Sequence, residues 1–150
     1  MFRMQLKIDL LNFIRKKQIE TINNLQMVME ESQKAANDYG APRDRYDSFR
    51  TQLLRKRDMY AKQLQMAMDQ LSLLDRISLE IPNNQVEFGA LVFTNKQNLF
   101  VSIGLGKIEF QDSVFYAISP NVPIFQAIES KRVGDEVPFN GSNIKILDVF

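Results

Sequence analysis

Cysteine and histidine are both absent from this chain of 150 residues. Without cysteine there can be no disulfide, no thiolate zinc site and no cysteine nucleophile. Without histidine there is no imidazole to act as a general base, so the commonest nucleophile–base arrangements of free-standing enzymes are missing. Any metal bound here would have oxygen ligands, which favours Mg²⁺ or a similar hard cation.

Long apolar runs are absent as well. The start of the chain, Met1–Gln5, lacks the apolar core of a signal peptide, and no stretch reaches the roughly 20 apolar residues that span a bilayer. The sequence therefore predicts a cytoplasmic protein that does not bind a membrane. Its 45% hydrophobic and 25% charged residues are ordinary values for a folded protein.

Glycine and proline are missing from two long stretches, residues 3–38 and residues 43–80. Between them stands Tyr39-Gly40-Ala41-Pro42, whose glycine and proline are typical of a turn. Two uninterrupted runs joined by one short turn predict an antiparallel helical hairpin.

The spacing of apolar residues supports a narrow packing surface between the two helices. In each run, apolar side chains recur on one ladder of alternating three- and four-residue steps, as in a two-stranded coiled coil. The ladder of the first run is Ile8, Leu11, Ile22, Leu25, Met29 and Ala36, with polar rungs at Arg15, Gln18 and Ser32. The ladder of the second run is Tyr46, Leu53, Tyr60, Leu64, Ala67, Leu71 and Leu74, interrupted by Arg50 and Arg57.

The composition changes near residue 82, where glycine, β-branched and aromatic residues become frequent. Four runs predict strands, at residues 88–93, 99–103, 114–118 and 144–147, with turns at 94–98, 111–113 and 140–142. Residues 123–130 predict a short helix that has Pro123 in its first turn. We therefore divide the chain into a hairpin at 1–81, with its tip near 38–47, and a β-rich domain at 82–150 that should fold alone. Formal charge differs between the two parts, +3 for the first and −2 for the second.

Four segments of the second part resemble the GreA/GreB family of bacterial transcript-cleavage factors. They are, with the family's pattern after each: Phe88-Gly89-Ala90-Leu91-Val92 (F-G-S-T-V), Phe100-Val101-Ser102-Ile103-Gly104 (Y-x-I-V-G), Ile118-Ser119-Pro120-Asn121-Val122-Pro123-Ile124 (I-S-x-x-S-P-I) and Lys131-Arg132-Val133-Gly134-Asp135-Glu136-Val137 (K-x-x-G-D-x-V). Val122 replaces the family's usual Ser, and Ser130 stands where Gly is usual, so the resemblance is to a divergent branch.

The resemblance implies an α+β fold, an N-terminal antiparallel coiled-coil hairpin followed by a small FKBP-like β-rich domain. In the family, the hairpin enters the secondary channel of bacterial RNA polymerase, and acids at its tip in a D-x-x-E-N segment help to hold a catalytic Mg²⁺. The polymerase then hydrolyses its own backtracked RNA. The implied partners are RNA polymerase and the RNA 3′ end in the channel, with no small-molecule substrate and no stably bound cofactor. On this basis the chain is not itself an enzyme, and any Mg²⁺ is shared with the polymerase.

The tip contains Asp44 and Asp47, which reproduce the acid-x-x-acid spacing with Asp in place of Glu and Ser48 in place of Asn. The resemblance makes them the acids that assist the polymerase metal site. The other interpretation is helix capping, because acids just after Pro42 would satisfy free backbone N–H groups and favour the helix dipole. Both roles are compatible at an exposed tip.

Six basic residues follow the turn within about four helical turns. They either form a solvated helix face or contact RNA phosphates and an acidic channel wall. These residues are Arg43, Arg45, Arg50, Arg55, Lys56 and Arg57. In the β-rich part, the resemblance assigns polymerase docking to Ser119, Pro123 and Ile124.

Three classes of function stay open at this point. The first is a factor that binds RNA polymerase at the secondary channel and stimulates cleavage of backtracked RNA. The second is a structural or interaction module, or an inhibitory channel-binding factor without cleavage stimulation, which the loose tip motif favours. The third, a free-standing enzyme, has neither a Gly-rich phosphate loop nor a nucleophile elbow in its favour.

Overall fold

Two long helices make up the first half of the chain, in a computed structural model that describes residues 2–39 and 48–150. Helix α1 spans Phe2–Tyr39 and helix α2 spans Ser48–Leu74, so they are roughly 57 and 40 Å long at about 1.5 Å per residue. The predicted helical hairpin is confirmed. The predicted turn at 39–42 lies, except for Tyr39, outside the described residues. Over these described residues neither helix is apolar enough along its length to cross a bilayer.

Helix α2 ends earlier than the absence of glycine and proline predicts. Its last residue is Leu74, whereas the uninterrupted run continues to residue 80. The amide of Arg76 donates to the carbonyl of Leu73 and that of Ile77 to Leu74, at N–O distances of 3.1 and 3.2 Å. These three-residue hydrogen bonds close the helix with a tight last turn, after which Ile77 is buried.

The chain forms two compact units, Met1–Phe13 with Leu73–Phe150, and Ile14–Ser72. In the second unit the helices are antiparallel, because Gln18 contacts Gln70 near one end and Tyr39 contacts Phe49 at the other. The predicted ladders form the packing surface between the helices, which we call the seam. Within this unit, Ile14–Ser72, its buried members are small or polar: Gln18, Ser32, Ala36 and Ala67. Leu25, Met29, Leu53 and Leu64 are half-buried along it, as predicted.

A buried amide holds one rung of the seam. The Nε2 of Gln18 donates to the carbonyl oxygen of Ala67 at 2.9 Å and to the Oε1 of Gln70 at 3.1 Å. A buried amide that lacked such partners would cost roughly 1–3 kcal/mol. The polar rung is therefore compatible with a dry seam and fixes which turns of the two helices face each other.

The other unit contains a six-stranded sheet in the order β3-β4-β2-β1-β6-β5. Neighbouring strands are antiparallel except β2 and β4, which are parallel. The strands are β1 (Leu91–Thr94), β2 (Asn98–Val101), β3 (Gly106–Phe110), β4 (Ser113–Ile118), β5 (Glu136–Phe139) and β6 (Ser142–Val149), with helix α3 (Pro123–Ile128) between β4 and β5. All four predicted strands and the predicted short helix are present, but β1 begins at Leu91 instead of residue 88 and β2 ends at Val101 instead of residue 103. Strands β3 and β5, at the two edges, were not predicted.

One face of the sheet packs on α3. Alternate side chains of the central strands point to this face, where Phe125 and Ile128 of α3 meet them. The buried cluster consists of Val86, Ala90, Val92, Leu99, Val101, Phe125, Ile128, Ile144, Ile146 and Val149. All of its members come from the predicted β-rich domain, which therefore contains a hydrophobic core of its own.

The opposite face of the sheet is also covered. It carries Phe93, Phe115 and Phe150, whose rings lie with their centroids 5.7–6.2 Å apart around Phe93. The first turns of α1 contact this face, since the Phe13 and Phe110 ring centroids are 5.0 Å apart and the Arg3 guanidinium lies 4.8 Å from the centroid of Phe150. Burial on both faces explains why the central strands read as continuous apolar runs.

Independent folding of residues 82–150 stays a prediction. The expected stability of this fragment depends on which contacts on the two faces of the sheet it keeps. The fragment keeps the α3-facing cluster but loses the side chains of α1 and Ile77. We therefore expect cooperative urea unfolding at a reduced midpoint, followed by far-UV circular dichroism and by the fluorescence of Tyr116, its only tyrosine. Non-coincident or gradual transitions would show that the folding unit needs the first turns of α1.

Candidate functional site

The tip acids lie outside the described residues. Asp44 and Asp47, together with Arg43 and Arg45, belong to segment 40–47, so their assignments stay predictions. Among residues 2–39 and 48–150, no group of three or more acidic side chains is placed to hold a metal ion.

The four basic residues on α2 fall into two pairs. Arg50 and Arg57 are seven residues apart, nearly two full turns, and both are half-buried on the seam side of the helix. Arg55 and Lys56 are exposed on the rest of its circumference. The structure therefore does not bring the four together into one basic surface, and only the second pair projects fully into solvent.

Arg57 is part of the packing between the two helices. Its guanidinium donates to the Oε1 of Gln33 on α1 and to the carboxylate of Asp58. It also lines a cleft of about 400 Å³ in this unit. The other lining residues are Met29, Glu30, Gln33, Lys34, Asn37 and Asp38. These contacts give Arg57 a structural role at a polar rung, beside the predicted contact with phosphates.

The three predicted docking residues lie on one short segment and each has a local structural role. The Oγ of Ser119 accepts a hydrogen bond from the amide of Asn121 at 3.3 Å, within the turn that follows β4. Pro123 is exposed in the first turn of α3, where its missing N–H costs nothing. Ile124 is half-buried against the core cluster. The segment thus presents Pro123 at the surface, and docking through it stays a prediction.

Two glycines that carry the family resemblance have a conformational reason. Gly89 has φ +91°, and a side chain there would also meet Ile77, whose Cγ2 lies 3.4 Å from the Cβ position. Gly134 has φ +94°, while Asp135 beside it accepts a hydrogen bond from the amide of Arg132 through Oδ2 at 2.8 Å. The matching letters therefore encode turns of the fold, and by themselves they carry no chemistry.

Ser130 occupies a left-handed conformation, φ +65°, two residues after the end of α3. Its amide donates to the carbonyl of Val86 at 2.8 Å, which holds the backbone in place. L-residues pay roughly 1–2 kcal/mol for this conformation and glycine does not, although glycine loses more chain entropy on folding. We expect Ser130→Gly to raise the free energy of unfolding by about 0.5–1 kcal/mol in urea titrations.

The matched control for that substitution is Ser142→Gly. Ser142 is an exposed strand residue, so removing its side chain should destabilise by about 0.5–1 kcal/mol. Equal effects of the two substitutions would contradict a conformational origin at Ser130.

A buried lysine was missed by the sequence reasoning. Lys7 of α1 is 0% exposed, and its Nζ donates to the Oδ1 of Asn83 at 2.8 Å, while the Nδ2 of Asn83 donates to the Oε1 of Glu87 at 2.7 Å. Desolvation lowers the pKa of Lys7 from 10.5 to about 8, and the negative charge of Glu87 opposes that shift. The available signal was its spacing, because Lys7 stands four residues before Leu11 on the predicted ladder.

Two aromatic side chains beside the tip were also not predicted as functional. Tyr39 ends α1 and Phe49 is the second residue of α2, with ring centroids 5.0 Å apart at 59°. Tyr39 is 39% and Phe49 53% exposed. The signal in the sequence is an aromatic residue at each end of the glycine-containing turn segment.

Comparison with known proteins gives little beyond the geometry. The sequence matches no protein-family model and no curated protein. Among solved structures, the chain is similar to the GreA factor homolog 1 of Thermus thermophilus, with 13% identity, 91% of this chain and 94% of that chain covered, and a TM-score of 0.35. A similarity of this size carries no argument about function.

Proposed function

We propose that this chain is a transcription elongation factor-like protein that binds bacterial RNA polymerase at its secondary channel and modulates it. The observation that carries the proposal is the order of the architecture together with the four matched segments. A confirmed helical hairpin, whose first helix has 38 residues, precedes a β-rich domain. The segments that resemble the GreA/GreB family fall on β1, β2, the turn into α3 and the turn into β5.

In this proposal the chain supplies groups and the polymerase supplies the reaction. The hairpin is the part that enters the channel, and the segment around Pro123 docks at its rim. Asp44 and Asp47 donate carboxylate oxygens near the Mg²⁺ site of the polymerase, where hard oxygen ligands suit the ion. Exposed Arg55 and Lys56 face phosphates or the acidic channel wall.

A second candidate is an inhibitory channel occupant that does not stimulate cleavage. Asp is one methylene shorter than Glu, so the second acid has less reach, and the remaining letters of the family's tip pattern are missing. The same hairpin then blocks the channel by occupying it.

Two measurements with the intact chain test the proposal. Co-sedimentation with bacterial RNA polymerase measures binding, and incubation with a backtracked elongation complex measures RNA length. Binding together with RNA shortening supports the cleavage factor, whereas binding with arrested synthesis and unchanged RNA supports the inhibitor. No binding contradicts both and leaves the fold as an interaction module for another partner.

A further inference from the structure

The Tyr39–Phe49 pair uses only part of its ring surface for its own contact. With 39% and 53% of these side chains exposed, a large share of each faces water. If the contact served only to hold the helix ends together, any large apolar side chain would be sufficient. Leucine would then expose less apolar surface to water than an aromatic ring does. Two aromatic rings offer, in addition, flat π faces on which another planar group can stack.

The charge around the pair favours an anionic partner. The described residues beside the rings, 38–39 and 48–58, contain four Lys or Arg against two Asp, a net formal charge of +2. On α2, Gln52 and Lys56 stand three and seven residues after Phe49, so the three side chains share one face of the helix. Both are exposed, and Lys56 lies roughly 10 Å further along the helix axis.

Stacking faces beside cations match the chemistry of an unpaired strand of nucleic acid. Bases stack on aromatic side chains regardless of sequence, and phosphates bind lysine and arginine. Paired bases are already stacked within a duplex and offer no free face. A folded protein partner would contact the same rings through apolar side chains. The cations would favour such a partner only if it also carried a matching acidic patch.

We infer that Tyr39 and Phe49 form a stacking platform for an unpaired base at the end of a single-stranded RNA, with Lys56 contacting a phosphate of the same strand. The choice of RNA as the occupant rests on the proposed function, since the tip would meet RNA inside the polymerase. The platform itself rests on the two rings and their charged surroundings.

The test is an NMR titration of the intact chain, labelled at its aromatic rings, with the tetranucleotide rArArArA at low salt. We expect upfield shifts of the Tyr39 and Phe49 ring signals that saturate with the oligonucleotide. Ribose 5-phosphate, which has the phosphate but no base, should leave the ring signals unshifted. The double substitution Tyr39→Leu/Phe49→Leu should weaken binding of the tetranucleotide about ten-fold or more.

Matched variants separate stacking from hydrophobic bulk. The exchanged pair Tyr39→Phe/Phe49→Tyr keeps two rings and should bind like the original chain. Met66→Leu changes an exposed apolar side chain elsewhere on α2, which is 64% exposed, and should have no effect. Circular dichroism verifies that the leucine variant remains helical. Equal binding by the leucine and original chains would overturn the inference.

Polymerase binding, measured in parallel, distinguishes the inference from the proposed function. Ring shifts without polymerase binding would support the platform and overturn the proposed function. Polymerase binding without ring shifts would overturn the platform and leave the proposed function standing. Leucine variants that lose polymerase binding but keep RNA binding would assign the rings to a protein contact, which also overturns the inference.

Discussion

Replacing both Asp44 and Asp47 by Asn is expected to reduce RNA shortening in backtracked complexes to the level of polymerase alone. Polymerase binding should stay close to that of the original chain. The two acids are separated by two residues, directly after the glycine- and proline-containing turn segment. Each substitution removes the negative charge needed to hold a divalent cation, although the Asn side chain keeps one carbonyl oxygen.

Asparagine is the informative replacement because it preserves the competing role. At an N-cap, Asn accepts hydrogen bonds from free backbone amides about as well as Asp does. The substitution should therefore leave the helicity of the hairpin nearly unchanged, apart from a few tenths of a kcal/mol of helix-dipole interaction. Loss of cleavage with helicity retained would assign the acids to the metal site.

Asp69→Asn serves as the matched control. Asp69 is exposed on α2 and accepts a hydrogen bond from the Nε2 of Gln65 at 2.9 Å, away from the tip. It should leave cleavage intact. If the doubly substituted chain cleaves like the original, the acids are helix caps. If the original chain binds polymerase and never shortens RNA, the cleavage hypothesis is wrong and the inhibitory alternative gains support.

The strands that were predicted correctly are the more buried strands of the sheet. The four predicted strands correspond to β1, β2, β4 and β6, the inner strands of the sheet, each of which pairs with a strand on both sides. The central strands are buried on both faces, which favours apolar residues at successive positions. The two missed strands are the edges. Lys107 and Glu109 alternate with Ile108 in β3, and β5 contains Pro138. Charge and proline protect an edge from pairing with another chain and also weaken its signal in the sequence.

The hairpin was predictable because packing between its two helices requires only that apolar residues recur every three or four positions. Over the described residues, the ladders located the buried and half-buried positions of the seam. They include polar Gln18, whose burial depends on carbonyl and amide partners that spacing alone does not reveal. Where α2 ends was less predictable, since no glycine or proline marks Leu74. The compact unit that contains the sheet also includes residues 1–13 and 73–81, a grouping that depends on three-dimensional contacts.

The candidate site was less predictable than the fold. The letters shared with the family encode turns at Gly89 and Gly134, so they report the fold more directly than the reaction. The contact between the Tyr39 and Phe49 rings depends on the ends of α1 and α2 lying side by side, which the sequence does not show. Lys7 was not predicted to be buried because the ladders were drawn through apolar residue types, and lysine is not one of them.

The environment of Lys7 makes it a source of pH-dependent stability. Its folded-state pKa of about 8 lies below its ordinary value of 10.5. Below pH 8 the amine is protonated in both the folded and unfolded chain, and burying the charge destabilises the fold by about 3 kcal/mol at roughly 1.4 kcal/mol per pH unit. Between pH 8 and 10.5 the unfolded chain binds more protons than the folded chain, so stability rises with pH.

Lys7→Met should therefore change how stability depends on pH. At pH 7 we expect the methionine variant to be more stable by about 1–3 kcal/mol, the lower figure allowing for the donor that Asn83 loses. The advantage should shrink as pH rises from 8 and largely disappear by 10.5, as measured by urea unfolding at each pH. Lys16→Met, an exposed lysine on the same helix, is the matched control and should follow the original chain. Parallel stability curves for the Lys7 variant and the original chain would show that the Lys7 amine is hydrated in the folded protein.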